Sequence, residues 1–433
     1  MVASIIPMDQ AQSARGIYAE VIGGMTTFVT MAYIVVVNPG ILATPGTGIP
    51  FSGALTATVL VASSMTLLMG VYARLPFAVA PGMGLNAFFA FTIVLQNKVP
   101  WPVALGIVFW SGVLFVIVSA TPLRDHIALA IPPALRAAAS AGIGLLLTLV
   151  GLRNAGLIVS DPSTVVRMGT LDHRAVLLLV GILVAAVLLR RDNPFAFLAA
   201  ISVATALAWA LGYERPPARL LSTPDFTSTF LALDAPGALR VSFLPAIVGI
   251  FFTDLFDSLS TFIGVATASG LTDESGRPLN LRRGLFVDAV ATLASGLAGT
   301  SPGTAYVESV AGIRMGGRSG VASIVTALCF VPCFFLAPLA SAVPGYATAS
   351  VLILVGVAMF RSIASLDVSS VEDAVPAFMT LVLIPLTLSI TQGILWGFLL
   401  HGLLYVVAGR SRELSRTLWL LSILAAALLM LNR

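Results

Sequence analysis

Two stretches break an otherwise apolar chain: Ala80–Phe91 (APGMGLNAFFAF) and Ser301–Ile313 (SPGTAYVESVAGI). Each puts Pro and Gly inside a hydrophobic segment. Proline withholds a backbone donor and glycine favours conformations other than helix, so each stretch leaves unpaired backbone groups at membrane depth. Hydrocarbon cannot satisfy them. Such backbone survives in a bilayer only where protein buries it or a polar cavity meets it, and a matched pair in two halves of a chain points to a transporter's binding site.

The surrounding composition fixes the class. Of 433 residues, 58% are hydrophobic and 10% charged, against roughly 25% charged in soluble domains. This predicts an all-α polytopic membrane protein. Residues 1–15 lack the charged start, short apolar run and cleavage site of an export leader, so the N-terminus is expected to stay in the cytosol. The 23 basic residues are arginines apart from Lys98 and lie scattered at segment ends, which argues against nucleic acid as a partner. Cys329 and Cys333 sit beside Pro332 with no His or acid to complete a metal site, and read as buried, unreactive thiols. No metal cluster, nucleophile with base or phosphate-binding Gly loop appears, so no enzyme and no cofactor is expected.

A spanning helix needs about 20 apolar residues, fewer where broken. That rule gives fourteen segments: 20–42, 52–74, a broken 77–96, 101–120, 131–152, 174–190 and 194–212, then 242–269, 284–300, a broken 301–314, 319–341, 348–362, 371–388 and 390–409. The polar stretch Gly212–Arg240 divides two sets of seven. An odd number per half forces tandem copies into opposite orientations. A shift of 221 residues sets Pro81 on Pro302 and Gly82 on Gly303. Arginines such as Arg15, Arg74, Arg190, Arg282, Arg283, Arg314, Arg318, Arg361 and Arg410 collect on one set of loops, which predicts a multi-pass protein of the cell membrane with both termini cytosolic. Arg153, Arg167 and Arg174 fall on the opposite side. The final stretch, Leu418–Leu431, is short for a span and follows a basic run, so it is expected either to lie along the inner interface or to form a fifteenth span.

Acids inside spans demand a partner or a task. Five qualify: Glu20, Asp254, Asp257, Asp288 and Glu308. Glu20 and Asp288, near segment starts, read as ion-pair or helix N-terminal charges. Asp254 and Asp257 lie three residues apart with Ser258 and Thr261 extending their polar stripe, and Glu308 lies at the start of a half-helix. Asp254 and Glu308 are the favoured functional pair, Asp257 an open case. Carboxylates, free backbone groups and the rings of Phe88, Phe89 and Phe91 suit a flat, hydrogen-bonding heterocycle. Buried carboxylates suit proton coupling, with sodium less favoured but open. His126, His173 and His401 fall in loops or near segment ends and are not expected to relay protons.

Four motifs in order, MTTFVTMAYIVVVNPGIL, APGMGLNAFFAF, FTDLFDSLSTFIGVATASGLTDESGRP and SPGTAYVESVAGI, resemble those of the AzgA-like purine permeases, in the nucleobase:cation symporter-2 (xanthine/uracil permease) family. The resemblance covers nearly the whole chain. It implies fourteen helices as two inverted seven-helix repeats. A core domain would take 1–152 and 242–341, with the fifth segment at its boundary, and a gate domain 131–212 and 348–409. The stretch 213–241 would be the inter-repeat loop and 410–433 a cytosolic or interfacial tail. It implies short strands near 77–80 and 304–307 that meet at mid-membrane. It also implies that Asp254, Glu308, Asn86, Ala87, Phe88, Val307 and Ser258 contact the base, with Glu308, Asp254 and Asp257 carrying protons. Ser258 stands where the uracil carriers have histidine, a departure that favours purines. The expected partners are a purine nucleobase, the bilayer and a second copy joined through the gate. An anion carrier of the same fold is the alternative.

Overall fold

The computed structural model describes residues 8–121, 132–272 and 278–431. Among them, eight helical stretches are long and apolar enough to cross a membrane: 16–42, 51–73, 101–120, 133–154, 173–190, 241–269, 345–365 and 390–407. The apolar helices 83–96, 196–210, 320–335 and 416–430 are shorter.

In chain order the helices are α1 (Met8–Met31), α2 (Ile34–Leu42), α3 (Phe51–Leu68), α4 (Met83–Ala87, continued by a π-helical stretch to Gln96), α5 (Trp101–Ala120), α6 (Pro133–Asn154), α7 (His173–Arg190), α8 (Ala196–Ala210) and α9 (Leu244–Ser269). They continue as α10 (Leu281–Ala298), α11 (Ser309–Arg314), α12 (Gly320–Phe330), α13 (Ala337–Ser341), α14 (Gly345–Phe360), α15 (Val371–Thr387), α16 (Ile390–Val407) and α17 (Arg416–Leu431).

Several expected segments are subdivided. The first breaks at Ala32–Tyr33 between α1 and α2, and the 319–341 segment breaks at Val331–Phe335, where Pro332 removes a donor. The protein is also not purely helical outside the crossing. Strands β2 (Ile158–Asp161) and β3 (Val165–Met168) form an antiparallel hairpin after α6. Its turn is closed by Asp161, whose carboxylate accepts from the N–H groups of Ser163 and Thr164.

The helices pack in two groups. In one, α5 lies on α9 and α10, α3 on α10 and α12, and α1 on α11 and α12. In the other, α6 lies on α14 and α15, α14 on α7 and α8, and α15 on α16. The α6–α14 crossing is close because it is made at glycines: a Cβ on Gly144 would lie 2.4 Å from the carbonyl oxygen of Gly356. The tail helix α17 packs along α16, with the Ser422 hydroxyl donating to the Phe398 carbonyl.

The two broken segments meet. β1 (Val79–Pro81) pairs antiparallel with β4 (Gly303–Ala305), in the register Val79 to Ala305, Ala80 to Thr304 and Pro81 to Gly303. The pairing runs on at both ends, Gly82 N–H donating to Pro302 O (2.8 Å) and Tyr306 N–H to Ala78 O (2.9 Å). Neighbouring hydroxyls serve the outer edges. Thr66 accepts from Val79 N–H, Ser309 from Ala78 N–H, and Thr292 donates to Gly303 O.

Asn38, fully buried on α2, ties the surrounding helices together. Its amide donates to the hydroxyls of Thr58 and Thr300, and its carbonyl accepts from the Asn86 amide and the Ser301 hydroxyl. The loop 212–240 is fastened at Asp225, whose carboxylate accepts from the hydroxyls of Ser52, Ser228 and Thr227 and from two N–H groups.

Replacing Asn38 by Leu strands the buried Asn86 amide and Ser301 hydroxyl, and should cost about 2 kcal/mol or more. A clear fall in detergent melting temperature is the expected result. The second expectation concerns Asp225, whose hydroxyl donors hold its carboxyl down at about 2, below the ordinary 3.8. A depressed folded value means the anchorage is complete above 3.8 and is lost as pH falls through about 2. Hydrogen exchange of 222–230, corrected for intrinsic rates, should accelerate across that window, and Asp225→Asn should abolish the change.

Candidate functional site

Beside the strand pair lies a cavity of about 470 Å³, with walls from both packing groups. Its floor is the end of β4 and the backbone that follows, Thr304 to Glu308. Met83 and Gly84, at the start of α4, form the facing edge. Because α4 starts there, its first N–H groups have no helical acceptor behind them.

Two carboxylates reach this space. Glu308 immediately precedes α11 and accepts a hydrogen bond from the Tyr33 hydroxyl at 2.7 Å. Asp257 projects from α9 and makes no hydrogen bond or ion pair to another described residue. Ser260 and Thr261 follow it on the same wall. Tyr33 and Phe197 meet edge-on, with ring centroids 5.2 Å apart, and form the aromatic side. Tyr306 also lines the cavity while its hydroxyl donates to the Pro81 carbonyl across the strands.

The residues expected at the site divide into two layers. Asp257, Glu308 and Val307 line the cavity, and Val307 is 58% exposed there. Asp254, Ser258, Asn86, Ala87 and Phe88 are each at most 2% exposed and lie outside the lining. The neighbours of α9 decide the split: Asp257 opens to the cavity, and Asp254 lies behind β4 against α10. There its carboxylate meets the hydroxyl of Thr292, and Asp288 meets that of Ser258. Asp288 therefore corrects the expectation of an ion pair or helix-end charge. It lies seven residues into α10, fully buried, and packs beside the strands.

Glu20 behaves as a helix-end charge, accepting from Arg318 and Ser319 N–H just before α12. Phe88 and Phe89 are buried core rather than cavity surface, and the aromatic faces come from Tyr33 and Phe197 instead. Tyr33 has a local signal in the sequence, a polar-tipped ring in the middle of an apolar motif. His401 is not at a segment end but buried in α16, stacked on Tyr405 and 3.2 Å from the Asp373 carboxylate. His126 lies outside the described residues, and Cys329 and Cys333 are free thiols, half-buried and buried. The described residues hold no group of three or more His, Cys, Asp or Glu that could bind a metal.

Comparison with known proteins places this geometry. The Permease family profile matches residues 18–395. A putative permease of Methanocaldococcus jannaschii is 41% identical over 408 residues, covering 94% of this chain and 92% of its own. The adenine permease AdeP of Escherichia coli is 40% identical, covering 92% of this chain and 89% of its own. The guanine/hypoxanthine permease PbuG of Bacillus subtilis is 39% identical, covering 91% and 92%.

Among solved structures, the transmembrane domain of the cyanobacterial bicarbonate transporter BicA superposes with a TM-score of 0.65 at 16% identity, covering 88% of this chain and 97% of that one. Murine Slc26a9 in its inward-facing state gives 0.62 at 14%, covering 90% and 68%. Such low identities speak for the fold alone. The sequence matches carry the assignment: the chain is a membrane permease, not an enzyme, and belongs to the xanthine/uracil permease (nucleobase:cation symporter-2) family.

Proposed function

We propose that this permease imports purine nucleobases (adenine, guanine or hypoxanthine) by proton symport. The observation that carries the reading is the pair Asp257 and Glu308 in one aromatic-walled cavity beside unpaired helix-start N–H groups. A purine offers donors and acceptors in one plane with an apolar face, which this wall matches, and about 470 Å³ lies within the usual range for small-molecule sites. The names of the relatives, an adenine permease and a guanine/hypoxanthine permease, support the same substrate class.

In this reading Asp257 and Glu308 bind the base edge, Tyr33 orients Glu308, and Val307 and the start of α4 complete the contact. Asn86, Ala87, Phe88 and Ser258 support the binding backbone from behind. Asp254 holds a proton. Thr292 has one hydroxyl hydrogen and two oxygens in reach, Asp254 Oδ2 and Gly303 O. A protonated Asp254 serves both, donating to Thr292 while Thr292 donates to the strand.

The transport cycle is alternating access, elevator-like, with fourteen segments in two inverted repeats. A core of 1–152 and 242–341 moves against a gate of 131–212 and 348–409, joined by the 213–241 loop. The antiparallel β1–β4 pairing, with matching bonds at both ends, supports the inverted relation. The permease sits in the cell membrane with both termini in the cytosol, as a homodimer through the gate, with protons favoured over sodium as the coupled ion. The anion-carrier alternative draws on the fold shared with BicA and Slc26a9. Two carboxylates in the cavity oppose it, since they repel an anion.

Uptake of labelled adenine, guanine, hypoxanthine and uracil into proteoliposomes, with and without an inward proton gradient, tests the reading. Gradient-driven accumulation of a purine is expected. Sulfate-sensitive uptake with no purine transport would replace it by the anion reading. Asp257→Asn and Glu308→Gln should each lower uptake at least about tenfold in folded protein, as expected for loss of a charge-assisted hydrogen bond. Asp254→Asn should keep purine binding and lose the response to the gradient. Tyr33→Phe should weaken binding about three- to tenfold, the loss of one hydrogen bond to a charged group, measured by titration calorimetry.

A further inference from the structure

Arg136 is a cation with no hydrogen-bond or ion-pair partner among the described residues. It lies at the end of the first turn of α6, three residues after Pro133, where the partial positive charge of a helix N-terminus disfavours it. The turn belongs to a helix long and apolar enough to span the membrane, where an isolated charge is costly. Its Nε is buried without a hydrogen-bond partner, and no acid pairs with it among the described residues.

Across from it stands Asp257, an acid with no hydrogen bond or ion pair to another described residue. The two line one narrow slot of about 20 Å³, together with Ser140, Thr253 and Ser260. Asp257, Ser140 and Ser260 also line the large cavity, so the slot is its continuation between α6 and α9. These helices belong to different packing groups, and so the unpaired base and acid face each other across the boundary on which the groups would move. Other groups about the cavity do not replace Arg136. Glu308 is an acid already bonded to Tyr33, Tyr306 bonds to Pro81, and Arg314 is exposed at the far end of α11.

We propose that Arg136 is the counter-charge of Asp257 in the empty carrier. Once base and proton have left, the slot closes, the guanidinium meets the ionised carboxylate, and the neutral pair lets the empty site cross back. Base bound at Asp257 breaks the pair. Arg136 is thus a positioning residue for the return step and not a contact of the base. The proposal rests on the nucleobase-transport reading above.

Two assays in proteoliposomes separate the steps. Net uptake of labelled adenine into empty vesicles needs return of the empty carrier, whereas exchange against unlabelled adenine inside does not. Arg136→Gln should lower net uptake about tenfold or more, as expected for stranding one member of a buried pair, and leave exchange within about threefold. Arg136→Lys should keep both rates near wild type.

Equal loss of both rates in folded Arg136→Gln, or loss of neither, would overturn the proposal. If that variant does not fold, Arg136→Met, which keeps an unbranched stem without charge, carries the same comparison. Wild-type protein that transports no purine would instead defeat the underlying reading, a result visible before any variant is made.

Discussion

The antiparallel bonding of β1 to β4 is the interaction on which the rest depends. Neither stretch could stand in a bilayer alone, because Pro81 and Pro302 remove helix donors and leave carbonyls and N–H groups open. Each supplies what the other lacks, and hydroxyls on Thr66, Thr292 and Ser309 take up bonds at the outer edges. The half-helices α4 and α11 must then begin at the strand ends, so both starts arrive beside the same cavity, with the first N–H groups of α11 already bonded to the backbone of Tyr306–Glu308 and those of α4 without a helical acceptor. A binding site follows from the repair of a backbone defect.

That arrangement also sorts the acids. α9 and α10 pass on the far side of β4, so acids on their inward faces are sealed against the strands, as Asp254 and Asp288 are with their hydroxyl partners. One turn further along α9, Asp257 clears the strand edge and reaches the cavity. Four carboxylates thus stand in two layers with β4 between them, and Thr292, bonded to both Asp254 and Gly303 O, joins the rear layer to the strand itself. A change in protonation behind the strand has a direct mechanical route to the backbone in front of it.

Much of this was legible in the sequence, and the failures share a physical cause. The paired Pro-Gly stretches marked the two helix breaks, because backbone chemistry is local, and the strand positions implied by the family resemblance fall within two residues of the observed pairing. The choice between Asp254 and Asp257 was not legible, since three residues on a helix leave them on adjoining parts of one face and only the neighbouring elements decide which of them opens to the cavity. Asp288 looked like a helix-end charge because it follows two arginines, yet α10 begins at Leu281 and carries it inward. Arg136 carries no sequence signal as a partner for Asp257, because the two lie on different helices more than a hundred residues apart. The hairpin after α6 did have a local signal: β-branched residues on both sides of Asp161-Pro162-Ser163-Thr164.

The likeness to bicarbonate and anion transporters sharpens the question of what selects a cargo. Identities of 14–16% preserve the architecture and say nothing of the ligand. A half-helix start such as that of α4 facing a cavity forms a positive environment fit for an anion. Placing Glu308 directly before α11 and Asp257 opposite reverses that preference. The helix-start donors still seek acceptors, and the carboxylates seek donors. A neutral ring carrying both around its edge satisfies the two sets together, as neither a simple anion nor a simple cation does. In the proposed reading, selectivity between such cargoes on this scaffold turns on Asp257 and Glu308.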